Sequence, residues 1–179
     1  MDMSFIIFFL GFLCALAALI SIVIWSLRCG ISPMPTTTRV KLKLLTLLPD
    51  EISGEIYELG AGWGTLAFPL ARHYPLNLVI GFETSPFPFL FCKLRQRVIP
   101  LKNLTFKRAN FLNANLQKGG LIVCYLYPQA MVHLKNKFEK ELKTGTWIIS
   151  NTFAIPDWKP IKIYQVDDLY QTKIYLYKR

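Results

Sequence analysis

The sequence has few of the residues that build metal centres and disulfide scaffolds. Its 179 residues include two histidines, far apart, and no CxxC pair among the four cysteines Cys14, Cys29, Cys92 and Cys124. We therefore expect neither a metal site nor a disulfide-stapled fold. Acids are also scarce, because 11 Asp and Glu stand against 21 Lys and Arg, for a formal net charge of +10. This balance excludes a strongly cationic partner and favours anionic ones.

Charge is missing altogether from the residues between Met3 and Leu27. At about 1.5 Å per residue, a helix of this length spans a hydrocarbon core of about 30 Å. A cleaved signal peptide is the alternative, but it needs a positive leader and a shorter apolar run, whereas this chain begins Met-Asp-Met. We predict an uncleaved transmembrane anchor at 3–27, a linker with a pre-core helix at 28–48, and one domain at 49–179.

The flanks of the apolar run predict its orientation. Asp2 precedes it, whereas the cations Arg28, Arg39, Lys41 and Lys43 follow it before the first acid, Asp50. The positive-inside rule then makes the chain a single-pass membrane protein with its C-terminal domain on the cytoplasmic face. The same basic flank would lie beside an anionic leaflet of the bilayer, although a simple stop-transfer flank is the plainer interpretation.

Beyond the linker at 31–35, apolar runs of strand and helix type alternate. Strands are predicted at 56–57, 76–82, 104–106, 121–126 and 147–150. Helices are predicted at 36–48, 86–98 and 129–142, and one more helix is predicted to end near residue 74. Two alternating strands, 161–166 and 172–177, close the chain as a hairpin. This order predicts an α/β fold: a Rossmann-like, mostly parallel sheet with helices on both faces and a C-terminal antiparallel hairpin, preceded by one transmembrane helix.

A glycine-rich turn joins the first strand to the first helix of this alternation, in the segment Glu58-Leu-Gly60-Ala61-Gly62-Trp-Gly64. Glycines allow a tight turn and close approach of a ligand to the free N–H groups at a helix start. Dinucleotide-binding folds use GxGxxG, whereas this pattern is GxGxG with an acid two residues before it. A carboxylate there would repel a diphosphate but suit a ligand that carries an ammonium group.

Glu83 is the second signal, because it ends the second strand and is the only acid between Leu59 and Phe138. An acid at that position can accept hydrogen bonds from two ribose hydroxyls. Facing a cleft, its side chain is expected to pack against little. A glutamate that caps the helix starting at Ser85-Pro86 is the structural alternative.

From about residue 36 to its end, the chain resembles the class I S-adenosylmethionine-dependent methyltransferases. ELGAGWG is similar to their first motif, Glu83 to their second, and LIVCYLYP (121–128) to the motif of their fourth strand. Asn110-Phe111 stands where many members have an Asp that contacts adenine. The apolar N-terminus, the segment SPMPTTTRV and a fifth strand reading SNTFAIPDWKP further resemble the small membrane-anchored protein-lysine methyltransferases, whose known members methylate mitochondrial inner-membrane proteins.

This resemblance implies S-adenosyl-L-methionine as cofactor and no metal. The implied cofactor-binding residues are Glu58, Gly60, Ala61, Gly62, Gly64, Glu83, Asn110 and Phe111. Tyr125, Tyr127 and Pro128 would form the rim beside the transferred methyl group, although either tyrosine could simply pack in its strand. Thr36 and Thr37 are candidates for contact with substrate or cofactor, with helix capping as the alternative.

The partners implied are the bilayer and a membrane protein with an acceptor lysine. A lipid headgroup or a lipophilic small molecule is the alternative acceptor, and an inactive interaction module that keeps the cofactor fold is the alternative class. The basic residues between Lys93 and Arg108 are most simply a solvated face, with membrane or nucleic-acid contact as the other interpretation. Nucleic acid is not an expected partner, because no RNA-binding module accompanies them.

Overall fold

A computed structural model of the chain describes residues 2–29 and 34–179, so residues 31–33 of the predicted linker lie outside the described residues. The helices are α1 (Met3–Cys29), α2 (Thr38–Leu45), α3 (Ala67–His73), α4 (Pro86–Val98) and α5 (Pro128–Glu141), with a 3-10 turn at Phe111–Asn113. The strands are β1 (Glu55–Leu59), β2 (Val79–Glu83), β3 (Leu104–Arg108), β4 (Gly119–Cys124), β5 (Trp147–Asn151), β6 (Lys162–Gln165) and β7 (Lys173–Lys178).

The strands form one sheet in the order β3-β2-β1-β4-β5-β7-β6. The first five strands are parallel, and in the central register Ile56 pairs with Val79 on one side and with Leu121 on the other. β7 is antiparallel to both of its neighbours, because the C-terminal hairpin inserts it between β5 and β6. The predicted mostly parallel sheet with a closing antiparallel hairpin is confirmed.

Helices cover both faces of the sheet, as predicted. On one face α2, α3 and the inner side of α4 pack over sheet residues such as Ile56 and Val123. On the other face α5 and the 3-10 turn pack over residues that alternate with these, such as Tyr57 and Ile122. Successive side chains of a strand point to opposite faces, so the two apolar sets of each strand build two separate cores.

Some predicted boundaries differ from the observed ones. β2 begins at Val79 instead of residue 76, because Asn77 lies in a turn where its amide donates to the carbonyls of Ile52 and Gly54 at 2.8 and 2.9 Å. Leu76 is accordingly fully exposed. α2 ends at Leu45, three residues before the predicted end, and its apolar residue Leu42 is exposed.

α1 is long and apolar enough to cross a membrane, and its hydrophobic span from Met3 to Leu27 is not buried in the protein. A core helix of this length would be largely buried. Apart from Ile6, its partly buried residues lie in the last turns and form one face at helical spacing: Ala18, Ser21, Ile22, Trp25 and Ser26. There α1 lies beside α4.

Asn103 offers a test of what stabilises the β3 edge of the sheet. Its amide nitrogen donates to the carbonyls of Ala71, Tyr74 and Asn77 at 2.9, 2.9 and 3.1 Å, which ties β3 to the end of α3. Asn103→Ala should lower the free energy of unfolding by about 1–3 kcal/mol, because three carbonyls each lose the hydrogen bond from the Asn103 amide. Urea denaturation measures the change. Asn136→Ala, on the exposed side of α5, is the matched control and should stay within about 0.5 kcal/mol; equal effects at the two sites would contradict the assignment.

Candidate active site

The carboxyl ends of the first four strands surround a cleft. From β1 the chain adds β2 and β3 on one side of the sheet and then adds β4 on the other side. The cleft lies at this reversal of strand order, which is the position of ligand clefts in open α/β sheets. The lining includes Met34, Thr36, Glu58, Gly60, Ala61, Gly62, Trp63, Glu83, Asn110, Phe111, Tyr125, Leu126 and Tyr127. The cleft thus gathers most of the residues singled out from the sequence.

The glycine-rich turn forms the floor of the cleft. Gly60 and Gly62 have positive φ angles of 76° and 51°, which side chains with a Cβ rarely adopt. A Cβ on Gly60 would lie 2.8 Å from Leu126 Cδ2, whereas a Cβ on Gly62 would meet nothing within 4 Å. Gly62 therefore borders open space where a ligand can approach the backbone. Gly64 instead packs against Phe68, Phe106 and Cys92 and is not among the lining residues.

The Glu83 side chain joins this turn to the start of α4. Its Oε2 accepts a hydrogen bond from the Gly62 N–H and its Oε1 one from the Ser85 N–H, both at 2.7 Å. The residue is 7% exposed. The expectation that Glu83 packs against little is therefore wrong, because the end of β2 is enclosed by the two loops that the carboxylate bridges. Each oxygen keeps a second lone pair that can accept from a ligand hydroxyl.

Glu58 is the more deeply buried acid of the site. Burial raises its pKa well above the ordinary value, the nearby Glu83 raises it further, and backbone N–H groups of Ala67 and Leu66 oppose the shift. Its Oε2 is buried and has no hydrogen-bond partner among the described residues. A buried carboxylate oxygen without a donor is costly, so this atom is suited to receive a donor from a bound ligand.

The charge of the cleft is opposite to that of the chain. Its described lining carries two acids, Glu58 and Glu83, and includes no Lys, Arg or His, in a protein with a formal charge of +10. The remaining lining is uncharged: it is aromatic, aliphatic or hydroxyl-bearing, with the Met34 thioether and the Asn110 amide. The site therefore favours a ligand with a positive charge and an apolar body, and disfavours phosphates.

Asn110 and Phe111 lie at one end of the cleft, after β3. The Asn110 Oδ1 accepts a hydrogen bond from the Leu112 N–H at 2.9 Å and so caps the 3-10 turn. Its carbonyl oxygen is thus already engaged, and the NH₂ group is the part that can donate to a base. Phe111 is partly buried and presents an aromatic ring in the same lining.

Tyr125 and Tyr127 follow β4 and line the cleft, both partly buried. They stand beyond the strand, because β4 ends at Cys124 instead of the predicted Leu126. Pro128 begins α5 and is not among the lining residues. The role of these three residues beside a transferred group stays a prediction.

Thr36 and Thr37, the two threonines before α2, take different roles, one in the cleft and one as a helix cap. Thr36 is buried and lines the cleft. Thr37 is the N-cap of α2, where its side chain accepts from the Val40 N–H at 3.4 Å. The structure therefore brings Thr36 to the site and gives Thr37 the capping position.

Sequence reasoning did not single out Trp63 or Met34, which also line the cleft. Trp63 packs edge-to-face on Phe87 and Phe91 of α4, with ring centroids 6.1 and 5.3 Å apart. Its place inside the glycine-rich turn was the available signal, because a large aromatic residue is unusual between two turn glycines. Met34 carried no comparable signal.

Comparison with known proteins shows which proteins the chain is similar to. Residues 58–162 match the family described as the ANTKMT methyltransferase domain. A protein-lysine N-methyltransferase of Saccharolobus islandicus is 26% identical over 75% of this chain and 84% of its own length. The adenine nucleotide translocase lysine N-methyltransferase of Mus musculus is 24% identical over 76% of this chain, but the match spans only 59% of that protein.

The fold is shared with a solved methyltransferase. The crystal structure of an RNA methyltransferase from Salinibacter ruber, in complex with S-adenosyl-L-homocysteine, superimposes with a TM-score of 0.72. It covers 81% of this chain and 93% of that one at 21% sequence identity. Because this relative has an RNA acceptor, the shared fold does not by itself define the acceptor of this chain.

The environment of Glu58 predicts how stability depends on pH. A carboxyl whose pKa is raised by folding binds its proton more tightly in the native state, so its contribution is favourable below the ordinary value and is lost as pH rises toward the raised pKa. Glu58→Gln removes this loss. The ligand-free variant should therefore gain stability over the native protein as pH rises above about 4.5, the ordinary pKa of the carboxyl.

Denaturation curves at several pH values measure this difference. The same charge change at exposed Glu51, Glu51→Gln, is the matched control. If the free energies of unfolding of the native protein and of Glu58→Gln change with pH in parallel, burial of an ionisable Glu58 is not the cause of the pH dependence.

Proposed function

The chain belongs to the ANTKMT methyltransferase domain family, and from this premise we propose that it is anchored in a membrane and methylates a lysine of a membrane protein. The protein is an S-adenosylmethionine-dependent methyltransferase of a protein-lysine methyltransferase family. The observation that carries the proposal is the acidic cleft, which disfavours phosphates. Its first lining residue along the chain, Met34, follows the apolar helix α1 by five residues.

The residues of the cleft fit S-adenosylmethionine. The orphaned Oε2 of Glu58 can accept from an ammonium group, and the open space at Gly62 allows a ligand to approach the backbone. The lone pairs left on Glu83 can accept from ribose hydroxyls, and Asn110 and Phe111 can hold a base by donation and ring contact. When bound, the cofactor supplies an electrophilic methyl group on a positively charged sulfur. Because the described lining holds the acids Glu58 and Glu83 and no Lys, Arg or His, the cleft tolerates that charge.

The acceptor amine must lose its proton before it can attack the methyl group. A lysine has an ordinary pKa of about 10.4, and desolvation lowers it. Tyr125 and Tyr127 follow β4 in the lining, and their faces can favour a cationic side chain as it enters. Their phenol groups and Thr36 can hold the amine by hydrogen bonds. Methyl transfer itself is an in-line displacement that depends on such positioning.

The membrane part of the proposal is supported by the distance between anchor and cleft. α1 ends at Cys29, and Met34, five residues later, already lines the cleft. Five extended residues span at most about 18 Å, so the cleft lies close to the end of the apolar helix. A lysine just outside the bilayer would be within reach. The charge asymmetry of the flanks supports a single-pass arrangement with the catalytic domain on the cytoplasmic face.

Glu83→Ala tests the role of this acid in cofactor binding. Charge-assisted hydrogen bonds are worth about 1.5–3 kcal/mol each, so loss of the carboxylate should weaken S-adenosylhomocysteine binding at least tenfold. Because Glu83 also bridges Gly62 and Ser85, the melting temperature of the ligand-free protein should fall. Calorimetry and thermal melts measure the two effects.

Glu83→Gln is the matched control for this experiment. It keeps the size and one acceptor oxygen, so it should lose less affinity and less stability than Glu83→Ala. If Glu83→Ala lowers the melting temperature but binds the ligand as tightly as the native protein, Glu83 is only a structural bridge.

The acceptor class is tested with membranes that contain the full chain and S-adenosylmethionine labelled in its methyl group. We expect label in the protein fraction, released on hydrolysis as methylated lysine. Gly62→Val, which places a side chain in the open part of the cleft, is the control for other methyltransferases in the membrane. Label in the lipid fraction would assign a lipid acceptor instead, and absence of both labelling and cofactor binding would assign an inactive module.

A further inference from the structure

The outward side of α4 is apolar where a surface helix is normally polar. Phe87, Leu90, Phe91, Leu94 and Val98 are between 36% and 81% exposed. Their spacing of three, four and seven residues places them on one side of the helix. We call these five residues the α4 stripe.

The α4 stripe is additional to the core-facing side of the helix. Pro88 and Cys92 form the buried side and pack toward the sheet, with Cys92 fully buried. α4 is therefore apolar on two sides, and only one of them is covered in the described structure. Contiguous exposed apolar patches on a soluble surface mark contact with a membrane or another protein.

The α4 stripe lies on the helix that α1 contacts. The partly buried side of the last turns of α1, from Ala18 to Ser26, is the part of that helix next to the core, and α4 is the element it lies beside. The stripe remains exposed although α1 is present. An apolar helix long enough to span a bilayer and an exposed apolar stripe thus occupy adjoining parts of the molecule.

The charge around the α4 stripe is positive. No Asp or Glu occurs between Thr84 and Phe138. Lys93 and Arg97 are exposed on α4 itself, and Lys102 is exposed just beyond it. Arg95 has a different position, because its guanidinium lies 4.4 Å from the centre of the Phe68 ring. An apolar stripe flanked by exposed cations matches the interface of a bilayer with anionic headgroups.

We propose that α4 is a second membrane contact, in which the α4 stripe inserts into the surface of the bilayer that holds α1, with Lys93 and Arg97 among anionic lipid headgroups. The proposal rests on the membrane anchoring in the proposed function, but not on the identity of the methyl acceptor. The bilayer is favoured over a protein partner because the stripe lies on the helix that contacts α1, and the charged residues exposed on α4 are all cations.

This contact would orient the active site. Trp63 lines the cleft and packs on Phe87 and Phe91, which belong to the α4 stripe. A stripe held at the bilayer surface therefore brings one wall of the cleft to the membrane. The acceptors favoured by this arrangement are lysines next to the headgroups.

The experiment uses the full chain, with Cys14 and Cys29 replaced by alanine and a fluorophore on a cysteine introduced at Leu90. Cys92 and Cys124 are buried and stay in place. The protein is reconstituted in vesicles of phosphatidylcholine, or of equal parts phosphatidylcholine and phosphatidylglycerol, that contain lipids with a nitroxide on the acyl chain. We expect quenching of the label at 90 several-fold stronger than at Val132, an exposed position of α5 on the other face of the sheet, and strongest in the anionic vesicles.

A charge in the stripe provides the matched comparison. Leu94→Glu, one helical turn from Leu90, should reduce quenching at 90 at least twofold, whereas Val132→Glu should leave it unchanged. Labels at 90 and 132 that are quenched equally would overturn the proposal. A label at 90 that is shielded from solvent only in native membranes would also overturn the proposal and would assign a protein partner. Quenching that falls as the amount of protein per vesicle rises would overturn it as well and would assign a second copy of the chain.

Two further readouts on the same vesicles, together with the methyl-labelling experiment above, separate this proposal from the proposed function. Flotation with the vesicles reports α1 anchoring, and calorimetry with S-adenosylhomocysteine reports the cofactor site. Anchored, ligand-binding protein with no quenching at 90 would overturn the docking of α4 alone. Quenching at 90 with methyl label in lipid would uphold the docking and overturn the protein acceptor.

Discussion

The bridge made by the Glu83 carboxylate is the contact on which the site depends. By accepting from Gly62 and Ser85, it joins the turn after β1 to the turn after β2, which are neighbouring strand ends. The Cys92 thiol adds a second tie, because it donates to the Gly62 carbonyl across 3.2 Å. The glycine-rich turn is therefore held on both sides of the same residue, and α4 starts from the same bridge.

This arrangement makes the cleft and α4 a single unit. Trp63 leaves the glycine-rich turn and packs on Phe87 and Phe91, so one aromatic cluster faces the cleft on one side and the outer surface of α4 on the other. A shift in the position of α4 would therefore also shift Trp63, which lines the cleft. In the proposed arrangement, the surface that would contact lipid and the surface of the cleft are joined through Trp63.

The charge distribution separates these two surfaces. The cations of this basic chain are outside the described lining of the cleft, where the acids are Glu58 and Glu83. Around α4 the opposite holds, since no acid occurs from Thr84 to Phe138. A positively charged cofactor and an anionic surface are thus favoured at different places, although they are joined through Trp63.

The sequence by itself determined the order of the elements, because apolar periodicity and turn residues are local properties. It predicted α4 at its observed bounds, the closing hairpin and the glycine-rich turn at the end of β1. It also indicated Glu58 and Glu83 as a pair, since scarce acids at strand ends stand out in a basic chain. Only the tertiary structure decided which atoms meet. That Glu83 is enclosed by two loops, that Thr36 and not Thr37 reaches the cleft, and that one side of α4 stays uncovered depend on packing between distant segments, which periodicity along the chain does not encode.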